Sequence, residues 1–195
     1  MKIFLIVVTI LPLLLFSNPI EECKIGSSIM PQWVCHPETT QKNSLVGLGI
    51  GSSYKQAILF ALCELSTQFS SKSISSKKDA RDTSTQKSEC YLNEDVFVSS
   101  TLKDYKYPSK KNPDNRVLNF NCKVAIQKQD RRLFLQETIK ESKKGIETSS
   151  KYNIPQDTNL EELLKTKGII IIHKVSKNNN FYVVLEVNKT QLKEK

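Results

Sequence analysis

Apolar and polar residues alternate most clearly in residues 118–126, where every second side chain is apolar. This pattern predicts a β-strand with one face in the core and the other in water. Two further runs, 169–175 and 181–187, are rich in β-branched and aromatic residues and flank a short polar segment. They predict a β-hairpin near the carboxyl terminus. Residues 90–107 have a weaker strand pattern and lead into a predicted turn at 108–115.

A helical period of three and four residues occupies residues 54–69. It predicts an amphipathic helix whose apolar stripe packs on a sheet or on another helix. Gly51, Ser52 and Ser53 precede the stripe and supply a turn and a hydroxyl N-cap, and the glycine-spaced run 45–50 before them predicts a short strand. The stripe consists of Ile58, Ala61, Leu62, Leu65 and Phe69.

The remaining segments are polar, and their patterns are weaker. Residues 70–89 are rich in serine and lysine, which predicts either a mobile loop or the solvated end of a long ribbon. Residues 127–144 predict a second, highly charged helix with a thin apolar face, closed by Gly145. A polar linker at 146–157 then leads to a short predicted helix at 158–168.

The amino terminus has the features of an export signal. Lys2 is followed by an apolar run that only Thr9 and Pro12 interrupt. The run is shorter than the roughly 18 residues that a spanning helix needs, and proline disrupts the helical hydrogen-bond ladder. Residues 1–17 are therefore predicted to be a signal peptide rather than a membrane anchor. This places the protein in the periplasm, at the outer membrane or outside the cell.

Charge narrows the choice of partners. The chain has 29 basic and 20 acidic residues, which gives a formal net charge of +9. Such an excess favours anionic partners, including lipid head groups, surface polysaccharide and nucleic acid. The alternative is that the lysines only keep the surface soluble.

All five cysteines follow the predicted signal peptide. An oxidising compartment permits disulfides, and an odd number leaves at least one thiol free or paired between chains. We expect Cys23 to pair with Cys35 within a proline-punctuated arm, and Cys122 to pair with Cys90 on the preceding strand. Cys63, on the predicted helix, is either a buried apolar residue or the unpaired thiol.

Few residues point to catalysis or to a bound cofactor. There is no CxxC pair, and the only histidines are His36 and His173, so no metal site is predicted. The GxSxG elbow of hydrolases is missing, and no catalytic residue is assigned. Gly47, Gly49 and Gly51 lie between a strand and a helix, but the last glycine of the dinucleotide fingerprint is missing. Close packing of helix on strand is therefore favoured, and no small-molecule cofactor is expected.

One modification site is predicted near the carboxyl terminus. Asn188, Lys189 and Thr190 form an N-glycosylation sequon. Glu186 extends it to the acidic form that some bacterial transfer systems use. Asn188 is therefore a candidate acceptor in an exported protein.

Residues 31–126 contain a tryptophan- and proline-bearing arm, a glycine-spaced strand and an alanine-spaced helix, in that order. The residues that carry this pattern are Pro31, Trp33, Pro37, the run 45–49, Ala57, Ala61 and Leu65. Together they resemble the opening of the LPP-twenty lipoprotein family of Gram-negative cell envelopes. The resemblance implies a non-enzymatic envelope or surface protein. The family's lipidated cysteine has no counterpart at Cys23.

The resemblance also implies an α+β fold in which one long helix packs across a small antiparallel sheet, in strand, helix, strand, strand order. With the patterns above, we predict a signal peptide at 1–17 and an α+β domain at 18–145 that ends in the charged helix. A linker with a helix and a β-hairpin follows at 146–195. Trp33 is expected to pack against the long helix.

These features predict an exported, non-enzymatic binding or assembly protein whose partners are envelope or surface proteins. An alternative is a basic protein that binds an anionic envelope polymer or nucleic acid, with an affinity that falls as salt rises. A third hypothesis is a thiol redox enzyme, which would need an exposed cysteine of low pKa.

Overall fold

The computed structural model describes most of the chain that follows the predicted signal peptide. That peptide, 1–17, and the predicted turn at 108–115 lie outside the described residues. No helix within the described part of the chain is long and apolar enough to cross a membrane. The described residues are 22–25, 27–78, 81–106, 116–129, 131–142 and 145–195.

Strands outnumber helices along the described chain. The helices are α1 (Gln32–Cys35), α2 (Tyr54–Ser70) and α3 (Leu160–Thr166), with a 3-10 turn at Lys189–Gln191. The strands are β1 (Glu22–Ile25), β2 (Ser28–Pro31), β3 (Ser44–Gly51), β4 (Ser71–Lys78), β5 (Arg81–Asn93), β6 (Val96–Lys106), β7 (Arg116–Lys128), β8 (Arg131–Ser142), β9 (Gly145–Asn153), β10 (Ile169–Lys177), β11 (Asn180–Asn188) and β12 (Lys193–Glu194).

Seven antiparallel strands form the larger sheet. Its order is β12, β5, β6, β7, β8 and β9, and β4 pairs with the part of β5 that β12 leaves uncovered. The predicted fold class is therefore wrong: the protein is mostly β, and its main sheet is too large for a single long helix to cover. The predicted strand at 118–126 is confirmed as the centre of β7.

Two segments with weak or misleading sequence patterns contain strands. The charged helix predicted at 127–144 is wrong: residues 131–142 form β8, in which Leu133, Leu135 and Glu137 are buried on every second position. The serine- and lysine-rich segment 70–89 contains β4 and the first part of β5, which pair along their backbones, so the ribbon alternative is confirmed. Backbone pairing alone leaves no apolar pattern in the sequence.

A three-stranded sheet of β10, β11 and β3 forms a second layer. β10 and β11 are the predicted carboxy-terminal hairpin, which is confirmed, and Asn178 and Asn179 adopt positive φ in its turn. β11 also pairs with β3 from the first half of the chain. Strands that follow residue 145 thus complete both sheets.

Helix α2 lies between the two sheets and confirms the predicted helix. One side of α2 faces β3, where a Cβ at Gly47 would overlap the carbonyl oxygen of Ala61. A Cβ at Gly49 would likewise overlap the carbonyl oxygen of Ala57. The glycines of β3 therefore allow the helix backbone to approach the strand backbone closely.

The other side of α2 faces the larger sheet. Cys63 of α2 forms a disulfide with Cys122 of β7. Ser66 Oγ lies 2.9 Å from Ser88 Oγ of β5, which in turn lies 2.7 Å from Ser100 Oγ of β6. All three hydroxyl groups are in buried residues. This hydroxyl chain joins the helix to two strands of the sheet.

An amino-terminal arm covers the side of the small sheet that is turned away from α2. β1 pairs with β2, and the disulfide between Cys23 and Cys35 links β1 to α1. Met30 and Val34 of the arm are buried against Tyr182 of β11. The disulfide therefore holds a small second core together.

Trp33 belongs to this arm. Its ring stacks on His173 of β10, with ring centroids 5.0 Å apart and planes inclined by 12°. The expectation that Trp33 packs against the long helix is wrong, because the small sheet lies between the arm and α2. His173 is thus a packing partner of an aromatic ring.

Candidate functional site

Four of the five cysteines form disulfides, and one is free. Cys23 and Cys35 form the disulfide expected in the arm. Cys122 bonds to Cys63, so the structure does not bring Cys122 and Cys90 together. The reason is the strand order: β6 lies between β5, which carries Cys90, and β7, which carries Cys122.

Cys90 is the free cysteine, and it is fully buried in the main core. Burial raises the pKa of its thiol to about 11. The thiol is therefore protonated at neutral pH, whereas the thiolate is the reactive form of cysteine.

Asn188 lies at the end of β11 and is partly buried. Its side-chain oxygen accepts hydrogen bonds from the backbone nitrogen of Thr190 at 3.0 Å and from the Thr190 hydroxyl at 2.8 Å. The sequon therefore forms an N-cap for the 3-10 turn at Lys189–Gln191.

Glu186 is a nearly buried carboxylate, with 1% of its surface exposed. It accepts hydrogen bonds from the backbone nitrogens of Thr40 at 3.1 Å and Gln41 at 2.9 Å, and from the Thr40 hydroxyl. Burial raises the pKa of Glu186, but these hydrogen bonds outweigh burial and hold the pKa below its usual value. The carboxylate fastens the loop before β3 to the small sheet.

A second polar cluster ties together the beginnings of α2 and α3. Tyr54 donates a hydrogen bond to Glu161 at 3.0 Å, and Lys174 of β10 contacts the same carboxylate at 2.8 Å. Burial, with the hydrogen bond to Glu161, raises the pKa of Tyr54 well above its usual value. The contacts with Lys174 and then Tyr54 lower the pKa of Glu161. A groove of about 360 Å³ lies beside this cluster.

The pleat of the larger sheet divides its side chains into two faces. The inner face points to α2 and is mostly apolar where the sheet covers the helix. One row across β5, β6, β7 and β8 on this face consists of Cys90, Val98, Val124 and Leu135, all fully buried.

The inner face also contains one buried carboxylate, Glu137. Tyr152 of β9 donates a hydrogen bond to its Oε1 atom, while Oε2 has no hydrogen-bond partner within the described residues. Burial and the hydrogen bond to Glu137 raise the pKa of Tyr152 to about 12. Tyr152 thus screens a carboxylate from solvent at the edge of the sheet.

The outer face of the larger sheet, which is turned away from α2, is polar across four strands. One row across β5, β6, β7 and β8 consists of Lys87, Thr101, Asn121 and Thr138. The adjacent row consists of Thr85, Lys103, Asn119 and Lys140. An open depression of about 600 Å³ lies over these two rows and touches every one of their residues except Lys140.

Three polar side chains near the centre of the outer face bond to one another. Gln136 and Thr138 of β8 both donate to the side-chain oxygen of Asn121, at 3.1 and 3.2 Å. These two bonds fix the orientation of the Asn121 carboxamide. The Asn121 carboxamide is thus held in one orientation at the centre of the outer face.

Lysines give the outer face its positive charge. Lys87 pairs with Glu89 at 3.1 Å, and this hydrogen bond is the main reason that the pKa of Glu89 is lowered. Lys103, Lys123 and Lys140 are exposed, and none of them forms an ion pair with another described residue. Their charges are therefore available to an anionic partner.

Aromatic residues lie at one end of the outer face, separated from the two polar rows by the row that contains Lys123. Tyr91 and Phe97 lie in cross-strand register, with ring centroids 5.1 Å apart. Ala125 and Phe134 continue this row on β7 and β8. The outer face thus changes from an aromatic end to a basic and hydroxyl-rich end along the strands.

The outer face could not be predicted from the sequence. Its residues come from four strands, and only the register shows that they share one surface. The alternation in β7 alone indicated a wet face.

No group of three or more metal-binding side chains is present within the ranges that the structure describes.

Comparison with known proteins finds no matching family model, no matching curated protein and no matching solved structure. The LPP-twenty resemblance stays a prediction.

Proposed function

We propose that the protein is a non-enzymatic binding protein whose outer face holds an acidic polysaccharide of the cell envelope. The observation that carries this proposal is the row arrangement around the depression of about 600 Å³. Lysine ammonium groups attract the carboxylates or phosphates of such a polymer. Threonine and asparagine side chains donate to and accept from sugar hydroxyls.

The dimensions of the outer face favour a polymer over a small molecule. Neighbouring strands lie about 4.8 Å apart, so β5 to β8 span about 14 Å across the rows. The depression is open rather than enclosed, whereas small-molecule sites bury most of their ligand. Exposed Lys103, Lys123 and Lys140 lie along this surface at separate points, as a chain with repeated charges requires.

The aromatic end of the outer face supports a carbohydrate ligand. Tyr91, Phe97 and Phe134 are partly exposed there. Aromatic rings offer flat apolar surface beside polar groups, and a sugar ring also has an apolar face and polar edges. An acidic polysaccharide can thus contact both ends of the outer face.

Two disulfides are typical of an oxidising compartment and support an exported location. We place the protein in the periplasm, at the outer membrane or outside the cell, in keeping with the predicted signal peptide and the LPP-twenty resemblance. The buried, protonated Cys90 favours binding over thiol redox chemistry.

The test measures binding of the purified, oxidised protein to fluorescently labelled polygalacturonate by anisotropy, at rising salt. Dextran serves as the neutral polymer. We expect binding to the acidic polymer only, with an affinity that falls as salt rises. The double variant Lys103→Gln/Lys123→Gln should bind at least tenfold more weakly. The matched control is Lys42→Gln/Lys189→Gln, which removes two exposed lysines elsewhere and should bind like the wild type.

Two results would contradict the proposal. Equal loss of affinity in the two double variants would mean that only net charge matters. Tighter binding to a single-stranded DNA oligonucleotide than to polygalacturonate would make nucleic acid the partner of the outer face.

A further inference from the structure

Strand β9 is the last strand of the larger sheet. It pairs with β8 along one edge, and no described strand pairs with its other edge. All nine residues of β9 are exposed. An unpaired edge of this length offers backbone donors and acceptors to another strand.

Two large apolar side chains lie on this open edge strand. Ile146 is 68% exposed and Tyr152 is 38% exposed, and they are among the few exposed large apolar residues of the described chain. Both lie on the inner face of the sheet, opposite Glu141 and Leu135 of β8. In a single copy of the chain, Ile146 is exposed to water, and no described strand covers this edge of the sheet.

The sequence of β9 is complementary to itself when it is read in the opposite direction. With Ser149 opposite Ser149, an antiparallel partner brings Ile146 opposite Tyr152 and Glu147 opposite Lys151. Apolar and opposite-charge cross-strand pairs are both stabilising. Each pair occurs twice because the arrangement is symmetric.

We propose that β9 pairs antiparallel with β9 of a second copy of this chain, with Ser149 at the two-fold axis. The two larger sheets then form one continuous sheet, because opposed residues in an antiparallel pair point to the same face. The interface is isologous, as a two-fold dimer requires. The inference does not depend on the proposed ligand.

The opposite edge of the larger sheet lacks this complementarity. β4 carries Lys72, Lys77 and Lys78 and no acidic residue. Lysine-rich edges oppose pairing between copies. β9 carries one acidic and one basic residue and no proline, and its register with β8 has no bulge. β9 thus has neither proline nor a bulge, and its one lysine is balanced by a glutamate, whereas the charged residues of β4 are all lysines.

The first test is sedimentation velocity of the oxidised protein over a concentration series at physiological salt. We expect a dimer. Glu147→Lys opposes lysine to lysine, and Lys151→Glu opposes glutamate to glutamate. Each single variant should raise the dissociation constant by about tenfold, because two favourable pairs become repulsive. The double variant carrying both substitutions restores opposite charges and should restore the dimer. Glu162→Lys, at an exposed position on α3, is the control.

The second test is a cross-link. Ser149→Cys should form an intermolecular disulfide on mild oxidation, whereas Ser176→Cys, at an exposed position on β10, should not. A monomer at every concentration would overturn the inference. A dimer that withstands both single charge changes, or equal cross-linking at 149 and 176, would overturn it as well. Thermal unfolding of each variant shows whether the fold is retained.

Discussion

Replacing Glu186 with glutamine should destabilise the protein at neutral pH. The carboxylate is 1% exposed and accepts three hydrogen bonds, from Thr40 and Gln41. Glutamine keeps one acceptor oxygen but turns an NH₂ group towards the remaining donors, so at least one bond is lost. A hydrogen bond to a charged group contributes about 1.5–3 kcal/mol. We expect the free energy of unfolding to fall by about 2–3 kcal/mol, or about 4–12 °C in Tm for a chain of this length.

The loss should depend on pH in a defined direction. The pKa of Glu186 is held below its usual value, so the stabilisation is fully present above the unfolded pKa of about 4.3. It disappears as pH falls through the lower pKa of the folded state, where the wild-type carboxylate takes up a proton. Glu186→Gln does not titrate at this position. The difference between the two proteins should therefore shrink from pH 7 to pH 3.

Urea unfolding followed by circular dichroism, with both disulfides kept oxidised, measures this difference. Glu38→Gln is the matched control, because Glu38 is exposed near the same loop. Equal stability of wild type and Glu186→Gln at pH 7 would show that the hydrogen bonds of the Glu186 carboxylate do not stabilise the fold. A loss of the same size at pH 3 and pH 7 would show that the shape of the side chain matters and its charge does not.

Three further predictions concern the core. Gly49→Ala should lower the Tm, because its Cβ overlaps the carbonyl oxygen of Ala57, and overpacking costs about 1–3 kcal/mol; an unchanged Tm would contradict the close approach of α2. Replacing both Cys63 and Cys122 with alanine should reduce the free energy of unfolding by about 4 kcal/mol, as expected for a 59-residue loop, and a loss below about 1 kcal/mol would disagree. Cys90 should resist iodoacetamide in the native protein and react once in urea, which intact mass measures; rapid native labelling would show that its thiol is accessible.

Elements with an apolar period could be predicted from the sequence. The stripe in α2, the alternation in β7 and the two apolar runs of the β10–β11 hairpin all match the structure closely. In each case the side chains that fill the core also set the period. Burial against a neighbouring layer is therefore visible in the sequence as a regular spacing of apolar residues.

Strands held mainly by backbone pairing could not be predicted from the sequence. β9 buries none of its residues, and β8 places Glu137 in the middle of its buried row. That carboxylate interrupts the apolar alternation, and the surrounding charges are good helix formers. β8 was therefore predicted to be a helix.

The candidate site was hidden for a different reason. Lys103, Asn121 and Thr138 are distant in sequence and meet only through strand register. Register depends on which strands pair, and a single sequence does not specify that. The bond between Cys63 and Cys122 was missed for the same reason, since it joins a helix to a strand across layers.

The buried hydroxyl groups of Ser66, Ser88 and Ser100 help to fix the position of α2 on the larger sheet. Apolar side chains such as those around α2 tolerate more than one packing arrangement. A shift of the helix by one turn would break the bond between Ser66 and Ser88, at a net cost of about 0.5–1.5 kcal/mol. The contact between Ser66 and Ser88 thus favours one arrangement among several that apolar burial alone would permit.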